Sequence, residues 1–134
     1  MRSGTHISFY LRLGTIHIHH TTIRNLGNPA FIRFLISDDG NTMLVQSFDK
    51  KTFQSFRVPG YPSDQLGKVQ IHSKGFCDMM VRRFGWDPEM SYRIPGKPYP
   101  SQSVAAFDLS KADAIHGWWK EARSKDEQAG STHI

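Results

Sequence analysis

The side chains of this chain whose types and spacing suggest chemistry are a run of histidines, His17, His19 and His20, matched later by His72, a single cysteine, Cys77, and a scatter of arginines and lysines. His17 and His19 alternate along a strand-like stretch, so both project from one face, as two ligands of a metal would. Zinc needs more ligands than that. No Cys-x-x-Cys occurs and no carboxylate stands at ligand spacing, so the histidines read as outward polar residues of a half-buried strand, and neither metal nor other cofactor is expected. Cys77 with His72 has the composition of a nucleophile and its base, but nothing nearby supplies an oxyanion donor, and Cys77 reads as a buried helix residue. Asp38 and Asp39 belong to a turn. No glycine-rich phosphate loop, Ser-His-Asp order or metalloprotease helix is present, which points away from an enzyme.

The basic residues suggest a different chemistry. Seventeen Lys and Arg against 12 Asp and Glu leave a formal charge of +5, and the pI is near 9.6. Such a balance favours polyanionic partners, because Lys and Arg displace the counterions condensed on phosphates. Residues 8–49 are balanced, so the excess lies in the middle and second half. Arg12, Arg24, Lys74, Arg82 and Arg83 flank the ends of expected strands and helices, where a phosphate backbone or groove is met, and they are the candidate DNA-binding residues. Lys50, Lys51 and Arg57 add non-specific phosphate contacts on this reading.

These residues are positioned by an internal repeat. Ser8 to Asp49 and Lys68 to Leu109 follow one plan. Each opens on an alternating strand, Ile16-His17-Ile18-His19 or Val69-Gln70-Ile71-His72. A short helix follows, from about Thr21 to Leu26 and from about Ser73 to Phe84, closed by Gly27 or Gly85. Pro29 and Pro88 then precede a hairpin, with the same spacing to a closing Phe-Asp pair, Phe48-Asp49 or Phe107-Asp108. Phe31 to Ile36 and Met43 to Phe48 form the first hairpin around the turn Asp38-Asp39-Gly40-Asn41. Tyr92 to Ile94 and Val104 to Phe107 form the second, through a looser connection rich in proline. Residues 50–67 read as a surface linker, 110–123 as a short helix capped by Ser110 and Asp113 with an apolar stripe of Ile115, Trp118, Trp119 and Ala122, and 124–134 as a disordered tail.

At 134 residues the chain suits one ordinary domain, or two small units sharing a core. With 38% hydrophobic and 12% aromatic residues it reads as a folded globule, with no apolar run long enough to span a bilayer. The absence of a signal-like stretch in Met1 to Thr5, together with one cysteine, sets the expected location as the cytoplasm.

The stretch YLRLGTIHIHHTTIRNLG, followed by a strand, an Asp-Asp turn and another strand, resembles the AbrB/SpoVT family of swapped-hairpin DNA-binding domains. The resemblance implies a β-rich α+β fold in which two small units interlock their hairpins into a barrel, since one alone cannot bury its core. Usually two chains pair; two tandem copies imply an intramolecular pseudo-dimer, a monomer or homodimer overall, acting as a non-enzymatic DNA-binding transcription regulator. The chain departs from the family pattern at Thr15, where a basic residue is usual, at His19, where proline is usual, and at Ile23-Arg24, where a basic pair is usual. That pair returns in the second copy as Arg82-Arg83. The alternative expectation is a protein-interaction module, antitoxin-like or part of an assembly, on the same fold with DNA binding lost.

Overall fold

A computed structural model describes residues 4–58 and 68–115. Its elements in chain order are β1 (Thr5–Tyr10), β2 (Thr15–His19), α1 (His20–Asn25), β3 (Phe31–Ile36), β4 (Thr42–Phe48), β5 (Phe56–Arg57), β6 (Lys68–His72), α2 (Lys74–Phe84), β7 (Ser91–Tyr99), β8 (Val104–Asp108) and β9 (Asp113–Ile115), with short 3-10 turns at Pro100–Gln102 and Leu109–Lys111. All ladders are antiparallel, in the order β5-β3-β4-β8-β7-β1-β2-β6, with β9 added beside β7. The fold is strand-rich, with few helices and a nearly closed, barrel-like sheet.

Alternation explains the strands. Ile7, Phe9, Ile16, Ile18, Val69, Ile71 and Ile94 turn inward from β1, β2, β6 and β7, and Ile32, Met43, Val45 and Phe107 from the rest; all are buried. Each contributes about 1.5–3 kcal/mol of burial. The gap in the sheet lies between β5 and β6, and side chains cross it instead of a ladder. Phe76 of α2, which leaves directly from β6, packs on Phe34 of β3 at 4.9 Å and Phe56 of β5 at 6.0 Å between ring centroids, and reaches Phe9 in the core. Cys77 and Met80 complete the buried stripe of α2 at helical spacing.

Both helices are bounded as their sequences require. Ser73 caps α2, its Oγ accepting the Phe76 N–H at 3.2 Å, and Gly85 ends it with φ of 67°. α1 has no side-chain cap and is held by burial of Thr22 and Ile23.

Several expectations are corrected. The segment after Leu109 does not begin a helix: Leu109–Lys111 is a 3-10 turn, Asp108 rather than Ser110 is its cap, and Asp113–Ile115 is a strand paired with Ser91–Arg93. The rest of the expected helix and tail lies outside the described residues. The linker is not wholly a surface strap, because Phe56–Arg57 adds to β3 and Val58 is buried, its N–H bonded to the Ala30 carbonyl. β1 falls outside the expected strands although it is central to the sheet. β7 runs through Pro95 and Pro98 where a three-residue strand was expected. Pro95 sits where the second neighbour of β7 changes from β9 to β8, and Pro98 lies beyond the last β1 partner, so neither ring displaces a ladder donor on both sides.

Candidate nucleic-acid interface

The five candidate basic residues occupy three places. Arg12 stands exposed on the turn between β1 and β2, whose Gly14 takes φ of 67° and accepts the Ser73 N–H at 2.9 Å. A Cβ on Gly14 would lie 3.2 Å from the Lys74 Cα, so the turn and the start of α2 touch, and Arg12 and Lys74 share one end of the sheet. Lys74 donates to Asp78 Oδ1 at 2.7 Å, a contact that raises the pKa of the ammonium and offsets its charge locally. Arg82 and Arg83 lie about 12 Å further along α2, on different sides of it. Arg83 packs over the Phe84 ring and donates to the Ser37 carbonyl at 3.5 Å. Arg24 is elsewhere: β2 and β6 run antiparallel, so α1 and α2 leave opposite ends of their ladder, and Arg24 goes with α1. The five do not form one patch.

The strands carry a different basic surface. The residues between the inward-facing ones, His6, Ser8 and Tyr10 on β1, Thr15, His17 and His19 on β2, Lys68, Gln70 and His72 on β6, and Arg93 on β7, share the outer face of the sheet. β1, β2 and β6 contain no Asp or Glu. His6 and His19 meet with their Nε2 atoms 3.0 Å apart, rings edge to face. His17 lies against Tyr10 at 4.4 Å between centroids, and His72 Nδ1 bonds the Thr15 hydroxyl at 3.1 Å.

The electrostatics follow from that composition. Burial, then His19 and Arg93, push the pKa of His6 down; burial, then Lys68 and His72, push His17 down to about 4. Both are neutral near pH 7. His17 and His19 do share a face, as their alternation requires, but no three of His, Cys, Asp and Glu gather to hold a metal among the described residues. Cys77 is fully buried and its thiol is pushed up to about 11, chiefly by burial, so it is not a nucleophile in the folded protein.

Sequence reasoning singled out Arg12 and Lys74, which the structure brings to one end of the sheet, but missed Lys68, His6 and Arg93 as members of one surface. The available signal was the alternation of His6, Ser8 and Tyr10 against Ile7 and Phe9, which marks β1 as a strand.

No family model, curated protein or solved structure matches the chain. Among the described residues no helix is long and apolar enough to cross a membrane.

Proposed function

We propose that the chain is a non-enzymatic DNA-binding regulator, acting in the reducing cytoplasm, built as two interlocked copies of one unit. The pairing pattern supports the second part. Equating β2 with β6, β3 with β7 and β4 with β8 makes β2·β6 and β4·β8 pairings of equivalent strands. β1 lies against β7 of the other copy, and β5 against β3 as its counterpart. Exchanging the two copies leaves the cyclic order of strands unchanged, as a swapped-hairpin pseudo-dimer requires.

The observation that carries the DNA reading is the sheet face of β1, β2 and β6, free of carboxylates, edged by Arg93 and ending at Arg12 and Lys74. Phosphates are attracted to such a surface and repelled from few points on it. The test is binding to a random-sequence DNA duplex at low and near-physiological salt, comparing wild type with Lys68→Ala/Arg93→Ala and with Arg82→Ala/Arg83→Ala. Affinity should fall with salt, and the Lys68/Arg93 pair should lower the slope of log K against log salt by about 2. Equal loss in both variants would assign the contact to general charge. No binding at low salt ends this reading.

One observation favours the protein-interaction alternative. Phe34, Phe53, Phe56, Phe76 and Met79 line a groove of about 430 Å³, and Phe53 is 96% exposed on its rim. A complex that survives high salt and is lost in Phe53→Ser would support it.

A further inference from the structure

His6 and His17, held neutral by burial and neighbouring bases, are an unusual lining for a surface meant to hold phosphates. His6 and His19 face each other across the β1–β2 ladder at 3.0 Å, a distance at which one proton is shared between two neutral rings. A second proton between them would set two N–H groups against each other and break the bond. His17 stands two positions along β2 on the same face, over Tyr10 and beside His72 and Lys68.

The titratable and charged groups that the described elements around these rings carry are nearly all basic residues. From β6 come Lys68, the register partner of His19, and His72. From β7 comes Arg93, the partner of Ser8. α1, packed on β2, β6 and β7, carries His20 and Arg24, and the β1–β2 turn carries Arg12; none of the three is among the groups acting on His6 or His17. β9 supplies a single carboxylate, Asp113, as partner of Arg93. The strands β1, β2, β6, β7 and β9 thus carry one carboxylate between them, and a phosphate backbone docked on this face would add negative charge that these strands lack.

We propose that DNA binding at this face is proton-linked: docking of the phosphate backbone draws protons onto His6 and His17, so that affinity rises as the pH falls. This rests on the DNA reading of the same face. The complex holds more protons than the free protein, because phosphates oppose the cationic field that keeps the imidazoles neutral. By linkage, the slope of log K against pH is then negative, with a magnitude equal to the number of protons taken up. Protonation of His6 also makes both of its ring nitrogens donors, which ends any acceptance from His19 and leaves an N–H for a phosphate oxygen.

The experiment is a titration of a fluorescent random-sequence duplex at fixed ionic strength from about pH 8 to about pH 5.5, with the full chain and with His6→Gln/His19→Gln and His17→Gln variants. Wild-type affinity should rise by tenfold or more, roughly one proton per pH unit over part of the range. Whatever their affinity at pH 8, the variants should show a flatter slope of log K against pH than wild type. Calorimetry of the wild type in buffers of different ionisation heat counts the protons directly, so the result does not depend on the variants folding. DNA binding that is insensitive to pH, or without proton uptake, overturns the linkage and leaves the DNA reading standing. Absence of binding at every pH overturns both.

Discussion

Gly96 shows how much a single residue can carry in this sheet. It lies on β7 where the strand pairs with β1 on one side and β8 on the other, and a Cβ there would meet the Ala106 carbonyl and the Phe107 ring, whose Cγ would stand 2.8 Å away. Phe107 is fully buried, so neither contact can yield cheaply. Gly96→Ala should destabilise by about 1–3 kcal/mol through overpacking, read as a lower urea midpoint with an unchanged slope. Cys77 makes the opposite case, a residue already where its chemistry is suppressed. A thiol reagent at neutral pH should label native protein slowly and urea-unfolded protein at once; rapid native labelling would contradict its burial. Cys77 was legible as a helix residue from its neighbours alone. Gly96 was not, because a glycine between two prolines reads as a turn, and only the β1 and β8 ladders reveal that the chain is extended there.

At the scale of elements, the parts that the sequence specifies locally match the structure. Phe31–Ile36 has its expected limits, and β2, β6, α1, α2 and β4 begin or end within a residue of theirs. Each has a period of two or of about 3.6, with glycine or serine at a boundary. β5 and β9 were missed because they are two and three residues long and their pairing partners lie far along the chain, whereas β1 was missed although it alternates and pairs with its neighbour β2. The β1–β2–β6 ladder also sets a pH dependence of stability. The folded state holds His17 at about 4 against an ordinary value of 6.5, and His6 is lowered in the same direction. Unfolded chain therefore binds more protons below pH 6.5, so stability is complete above that value and falls as the pH drops toward 4. Thermal midpoints measured between those limits should decline, and His17→Gln should decline less. A midpoint that is flat over this window would show that His17 is less desolvated than its place over Tyr10 implies.

The whole molecule raises the question of where its second half comes from. On the proposed two-copy reading, a unit of β2, α1, β3 and β4 would by itself expose Ile16, Ile18, Met43 and Val45, which share one buried core with residues of β6, β8 and α2 in the folded chain. On that reading a unit of about 40 residues alone would be too small to offset the entropy of ordering it. Because the partner is covalently attached, its effective concentration is set by the short connection through residues 50–67, far above any concentration of free chains. Pairing within the chain should therefore prevail: light scattering should give a mass near 15.3 kDa at all micromolar loadings, and denaturant should unfold both units in one transition. Separately expressed residues 1–49 should lack a cooperative transition, since the strands that cover its core are absent. A concentration-dependent dimer of the full chain would instead mean that the second unit pairs with its counterpart in another molecule. The β2·β6 and β4·β8 ladders would then form between chains, and the stability of the fold would rise with protein concentration.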